Sequence, residues 1–350
     1  MIQQRSPRGA IGAWGGLLAA TLAALVTVFA CTAGPTVMWQ VSGASSGIFS
    51  ADGTALLVTT STGFELRGST DGAVLSQLTL PASSQAYDAR VFSPDKELVA
   101  LSIFESGRVR IELWRIADGA LLRTIPTDAN TRVRALDFST SGLLATMQRF
   151  AYQQGGFLRV FRLSDGALVH QEGPLVRNSS TRVKFSPDAQ YLAIHDHNAG
   201  GVRVLATADW SIALVIGEFA AIFDWYPDSS SLWVASGAGT QIPAFDLVAV
   251  PGGNKLLSVP WEPADLAATA VTPDGRFFLA SQPVTTDPNS PPGDTLAFSS
   301  AADSATAVTF KSGPVVSAGT INPNGTQFTY TICPPEAGTC TFYVAQMPAL

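Results

Sequence analysis

The chain has 350 residues, 14% charged and 46% hydrophobic, with 31 glycines and 22 prolines, which excludes a disordered polypeptide and describes a core-rich, turn-dense fold. The formal net charge is −6, and it falls to −8 once Arg5 and Arg8 of the acid-free first thirty residues are set aside. With lysine only at positions 96, 184, 255 and 311, such a chain gains little from a phosphate backbone, so no nucleic-acid partner is expected.

The first element is MIQQRSPRGA, a basic head, followed by the uncharged apolar run Ile11–Ala30 that closes in small residues. This is the pattern of an export signal. Val28, Phe29 and Ala30 precede Cys31, and the stretch resembles a bacterial lipobox, which implies lipidation of Cys31 and cleavage before it. Phe29 departs from the small or aliphatic residue usual in that motif. Two alternatives stay open: ordinary cleavage near Ala30, and an uncleaved anchor, since about 20 apolar residues span a bilayer. In each case the body, residues 35–350, is expected outside the cytoplasm.

From there a turn recurs: FSADG at Phe49, FSPDK at Phe92, FSTSG at Phe138, FSPDA at Phe185, WYPDS at Trp225, VTPDG at Val271 and INPNG at Ile321. The spacings are 43, 46, 47, 40, 46 and 50 residues. Ser, Pro and Gly at these places are type I turn chemistry, and a short apolar strand lies on each side. Inside each unit falls a second signal. Asp71, Asp118 and Asp165 head Asp-Gly pairs between apolar runs, with weaker copies at Asp209 and Asp303; Asp-Gly in that setting predicts a hairpin. Each unit therefore reads as four antiparallel strands, and no stretch after residue 30 has convincing helical periodicity. Near the C-terminus, TICPPEAGTC predicts a hairpin loop. Cys333 and Cys340 would form a disulfide across it in an oxidising compartment, the plainer reading being two small buried thiols.

Four strands per 40–50 residues make a propeller-blade signature. Over residues 35–350 the chain resembles the WD-repeat and YVTN-type propellers. It lacks the Trp-Asp dipeptide and Gly-His pair of true WD repeats, so their structural Asp-His-Ser-Trp network is not carried over. The expected fold is all-β, a seven-bladed propeller of four-stranded antiparallel blades. The resemblance implies that a spare N-terminal strand, about Thr36 to Val41, completes the last blade and leaves no exposed edge.

On a rigid ring, binding falls on the variable loops. Glu105, Arg149, Tyr152, His195, His197 and Asp287 are the candidate binding-face residues. His195 and His197, in HDHN, alternate at a strand end and share a side. A divalent metal could take both with a third ligand from elsewhere, but the remaining histidine, His170, and the absence of a Cys-rich partner favour a polar strand end. DPNSPPGD, Asp287–Asp294, offers oxygen ligands to calcium but lacks the acidic spacing of a calcium loop. GASSG, Gly43–Gly47, matches a nucleophile motif without the helix that must follow it. No metal, cofactor or catalytic residue is assigned.

The functional expectation is an exported, lipid-anchored, monomeric scaffold of a bacterial cell envelope, periplasmic or extracellular, binding an envelope protein or small ligand at its loop face without catalysis. The alternative is a propeller enzyme, lactonase-like or another hydrolase, with its site at the axial channel. An enzyme would bring carboxylate, His or Arg groups from at least three blades to the axis; a scaffold would line it with Ala, Val and Ser. A quinone-type carrier would need stacked aromatics there, and the sequence places none.

Overall fold

The computed structural model describes residues 36–80, 84–150, 155–175, 182–196, 200–217, 223–236, 244–260, 267–271, 277–281, 294–300, 303–313, 316–333 and 339–347. Their strands pair as seven four-stranded antiparallel sheets. Six are built from four consecutive strands each, the first of these being Ala44–Phe49, Ala55–Thr60, Gly63–Gly68 and Val74–Thr79. The last joins Val316–Ile321, Gln327–Ile332 and Thr341–Gln346 to the N-terminal strand Val37–Ser42, which pairs with Thr341–Gln346 from Val37↔Ala345 to Ser42↔Thr341. The sheets are blades whose first strands lie side by side: Ser84–Phe92, Thr131–Phe138, Val183–Phe185 and Phe223–Trp225 touch in succession, as do Ala267–Val271, Val316–Ile321 and Ala44–Phe49. First strands therefore line the centre, and fourth strands form the outer edges.

The core sits between sheets, not within them. One cluster joins Leu57, Phe64 and Leu66 of the first blade to Phe92, Val99 and Leu101 of the second. Others join second to third, through Ile111, Leu136 and Phe138, third to fourth, through Leu158, Phe185 and Leu192, and fourth to fifth, through Val204, Phe223 and Trp225. In every case the aromatic residue that opens the repeated turn packs onto the preceding blade. Truncating one such side chain to alanine removes about 3–5 kcal/mol.

The turn itself repeats at backbone level. Gly53, Lys96, Gly142, Ala189, Ser229 and Gly325 donate their N–H to the carbonyl three residues back and adopt φ between 59° and 80°. Where this left-handed position is not glycine, it costs the chain conformational energy, and two of the side chains offset that by reaching the blade before. Lys96 pairs with Asp52, and Ser229 Oγ accepts the N–H of Asp188 at 3.0 Å. Asp52 is held well below the usual carboxylate range: burial acts to raise it, and the hydrogen bonds from Lys96, Thr54 and Ser50 outweigh that.

The Asp-Gly signals form wider turns than a two-residue hairpin. Asp71, Asp118 and Asp165 each accept the N–H two residues on, at 3.0–3.1 Å. The residue after the Asp packs on the outer strand of the preceding blade. At Gly72, φ is +68° and a Cβ would come within 2.7 Å of Trp39, so only glycine fits. In the fourth blade this place holds Trp210, at φ +61°, stacked 4.4 Å from the His170 ring of the third.

Cys333 and Cys340 form a disulfide between the last blade's middle strands. Closing so short a loop is worth about 2 kcal/mol by restricting the unfolded chain, so a Cys333→Ser, Cys340→Ser variant should melt several degrees lower than the oxidised protein; equal melting by circular dichroism would show that the bond does not hold this blade. Deleting residues 36–42 should also lower the melting temperature, because it opens Thr341–Gln346 to solvent and strips the cover from Trp39's neighbours Val344 and Phe342. An unchanged transition would show that the N-terminal strand adds nothing to the body.

Candidate functional site

The inner wall is asymmetric. Ala44–Phe49, Ala267–Val271 and Val316–Ile321 carry no charged residue, whereas the inner strands of the second to fifth blades carry Asp88, Arg90, Arg132, Arg134, Asp137, Lys184 and Asp224, with Arg182 just ahead of the fourth. The wall thus divides between the two sequence expectations: charged groups from four blades on one side, Ala, Val, Ser, Gly and Thr with single aromatic and aliphatic residues on the other.

Asp137, Lys184 and Asp224 occupy one level, each immediately before the aromatic residue of its turn. Lys184 Nζ donates to both carboxylate oxygens of Asp224, at 2.6 and 2.7 Å. The N–H of Phe185 donates to Asp137 Oδ2 at 2.6 Å, and Trp225 Nε1 donates to the carbonyl of Lys184 at 3.0 Å. Arg182 donates to the carbonyl of Phe223 at 3.0 Å. Three successive blades are therefore laced together at their inner edge. The Asp137 carboxyl is enclosed, although the residue as a whole is half-buried. Burial pushes it up to about 7; the Lys184 charge and the Phe185 N–H act against this, and Asp224 adds to it. Burial also lowers the Arg182 guanidinium, with Asp224 opposing.

A second charged series was not read from the sequence. Glu65, Glu112, Arg159, Arg203 and Asp246 stand on the third strands of the first five blades, 47, 47, 44 and 43 residues apart. Each is ion-paired: Glu65 with Arg67 at 2.6 Å, Glu112 with Arg110 at 2.6 Å, Arg159 with Asp128 at 2.6 Å, Arg203 with Glu172 at 2.6 Å and Asp246 with Lys255 at 2.7 Å. Sequence spacing alone would have found the series, had charge been tracked at the blade period as the turn residues were.

Of the candidate face residues, Glu105 is half-buried and paired with Arg110 at 2.5 Å. Arg149 lies opposite Arg132 in the third blade's ladder. His195 is only 7% exposed, so it is a strand residue inside the blade rather than a presented contact. Its neighbour Asp196 pairs with Arg203 at 3.0 Å, which uses the carboxylate of the HDH sequence in the wall. His170 belongs elsewhere, bonding Glu172 at 3.2 Å. No group of three or more metal-ligating side chains occurs among the described residues. Tyr152, His197, Asp287 and Cys31 lie outside the described residues. A cavity of about 220 Å³ lies at the outer rim, between Leu214–Gly217 of the fourth blade and Val234, Asp246, Val248, Gly253 and Lys255 of the fifth.

No family model and no curated protein matches the chain. Among solved structures, 1140 chains match it. One, from "Crystal Structure of Mitotic Checkpoint Complex", superposes with a TM-score of 0.63 at 13% identity, covering 98% of this chain and 99% of that one. The fold is that of a WD-repeat-like β-propeller. Within this propeller the third, fourth and fifth blades are tied by the inner Asp137–Lys184–Asp224 level, and the third and fourth also by Glu172–Arg203.

The Asp137 carboxyl gives a pH signature with a definite sign. Its folded pKa lies above its unfolded one, so between the ordinary carboxylate range and about pH 7 the folded chain holds a proton that the unfolded chain has lost. Stability from this group is present at low pH and is lost as pH rises through that window. Asp137→Asn should therefore raise the melting temperature by an increment that is small near pH 4, grows as pH rises, and is largest at pH 7–8. A variant-minus-parent difference that stays constant from pH 4 to pH 8 would show that Asp137 does not titrate this way.

Proposed function

We propose that this chain is an exported propeller, anchored to a bacterial envelope membrane through its N-terminus, whose seven blades close into one ring and serve as a non-catalytic scaffold for another protein. The observation that carries the scaffold reading is the use of charge. Glu105, Glu112, Asp128, Glu172, Asp196 and Asp246 are each engaged by Arg or Lys within or between blades, the arrangement of a rigid platform. The similar propeller chain occurs in a multiprotein complex, which supports the same use here. Ring closure is supported by the ladder between Val37–Ser42 and Thr341–Gln346.

Export is supported by the basic head, the apolar run Ile11–Ala30 and the residues before Cys31. A disulfide between Cys333 and Cys340 suits an oxidising compartment. Attachment is assigned to residues 1–31 on that sequence pattern; among the described residues no helix is long and apolar enough to cross a membrane.

One observation favours the hydrolase alternative: a carboxyl titrating near neutrality beside Lys184 at the inner wall is the kind of group catalysis uses. Asp137→Asn would abolish such turnover and leave scaffold binding intact.

In a bacterial host, the full chain should fractionate with envelope membranes, and Cys31→Ser should abolish the lipid modification and the cleavage before residue 31, leaving a larger species that keeps Ile11–Ala30. Mass spectrometry should find a diacylglyceryl group on an N-terminal Cys31. A protein recovered from the cytosol with Met1 in place and Cys333 and Cys340 reduced would overturn the export reading.

A further inference from the structure

Large apolar side chains that stay exposed are confined to one kind of strand. Among the described residues, every exposed valine, leucine, isoleucine or methionine lies on the fourth, outermost strand of a blade. Val37, Leu75, Leu122, Leu168, Ile212 and Leu256, one from each of six blades, are 42–60% exposed. Each is among the first three residues of its strand. Single exposed leucines are ordinary on a protein surface, but the same few positions left open on six fourth strands form a pattern.

The antiparallel order of the blades fixes where these residues lie. First and second strands, and third and fourth, join at one end, while the variable loops between second and third open at the other. The exposed set therefore rings the end that carries the repeated turns. Neighbouring blades share that end: Lys96 in the second blade's turn pairs with Asp52 in the first, and a Cβ on Gly119 of the second would meet Gln77 and Leu78 of the first at 3.4 Å. The N-terminal strand starts there too. Its Thr36 carbonyl accepts the Gln346 N–H at 3.0 Å, and the adjacent Met347 N–H donates at 2.8 Å to the carbonyl of Thr326, in the last blade's turn. Val37 and Met38 thus carry the exposed set to the point where the chain enters the propeller.

Cys31 stands five positions ahead of Thr36, and a chain of that length reaches at most about 18 Å. An anchor at or before Cys31 therefore holds this rim, and not the variable loops, on a short tether to the bilayer. Tethering makes the contact intramolecular, so weak apolar affinity is enough. Charge at this end selects the kind of lipid. Asp118 and Asp165 are paired with Arg115 at 3.0 Å and Arg162 at 2.8 Å, whereas Asp71, Asp209 and Asp228 accept N–H groups of their own turns. Such a rim is repelled by anionic lipid and accepted by zwitterionic headgroups, whose outer charge is cationic. A second copy or a globular partner would cover the rim of a few blades, but a bilayer surface meets the whole set at once.

We propose that the turn-end rim is a lipid-contacting surface, with Val37, Leu75, Leu122, Leu168, Ile212 and Leu256 entering the zwitterionic headgroup region of the membrane to which the N-terminus is anchored. This rests on the anchoring reading and adds an orientation to it. The variable loops are held away from the bilayer, open to the partner protein.

The test uses the full chain in phosphatidylcholine vesicles, with an environment-sensitive dye on one introduced cysteine and the dye-treated parent as blank. Leu75→Cys, Leu122→Cys and Leu256→Cys report on the rim. Ala129→Cys, in the exposed connection between the second and third blades, reports on the opposite end. Rim labels should shift to shorter wavelength and lose intensity when spin-labelled lipid is added, and the Ala129→Cys label should do neither. Adding Leu75→Glu and Leu122→Glu to Leu256→Cys should reduce the quenching while the chain still floats with the vesicles. Vesicles of phosphatidylglycerol should give less quenching; more would overturn the assignment to zwitterionic headgroups. Unquenched rim labels on a chain that floats with the vesicles overturn the proposal and leave the anchor standing. Quenching at Ala129→Cys as strong as at the rim overturns the orientation. A wavelength shift that grows with protein density without lipid quenching also overturns it, in favour of a second copy on the rim. A parent chain that does not float refutes the anchoring itself.

Discussion

The constraint on which everything else depends is that a four-stranded blade has two faces and a narrow width, so it buries apolar surface only against its neighbours. Phe92, Phe138, Phe185 and Trp225 meet that constraint by reaching from the first strand of one blade into the core shared with the blade before. Because the same residue opens the turn, the turn's backbone geometry and the inter-blade core are set together. A change in one shifts the other. This explains why the left-handed position four residues after the aromatic is kept even where the residue is Lys96, Ala189 or Ser229.

Polar ties follow the same inter-blade logic. Asp52 with Lys96 and Asp188 with Ser229 join the fourth residue of one turn to the fifth of the next, and Lys184 with Asp224 joins equivalent positions of adjacent blades. Such partly exposed pairs contribute modestly to stability, about 0–1 kcal/mol each. Their value is in register: they fix how far one blade is rotated against the next, which an apolar core alone leaves looser. Asp137 is the exception, since its burial raises its pKa and its charge is a cost at neutral pH. It is kept in place by the Phe185 N–H it accepts from the next blade.

The repeating blade was legible because its signals are local. Turn chemistry, the Asp-Gly pairs and apolar alternation all act within a few residues, and they recur at one period. The pairing of Val37–Ser42 with Thr341–Gln346 was also legible, from a strand left over at one end and a strand wanting at the other. The charged inner wall was not, since it arises where residues about 40–50 positions apart meet around an axis. Asp137, Lys184 and Asp224 look like unrelated substitutions in the linear sequence and become a single level only when the blades stand side by side. His195 misled in the opposite way: at a strand end beside a variable loop it read as a binding-face residue, but the strand buries it, and Arg203 takes the neighbouring Asp196.

Charge distribution then separates the two layers of the propeller. Third-strand charges are matched inside or between blades, whereas inner-strand charges from the second to fifth blades are in cationic excess, with Arg90, Arg132, Arg134, Arg182 and Lys184 against Asp88, Asp137 and Asp224. Pairing accounts for the first set as framework. In the second set Lys184 and Asp224 satisfy each other at the level of Asp137, which ties the inner wall to the same framework where the third, fourth and fifth blades meet.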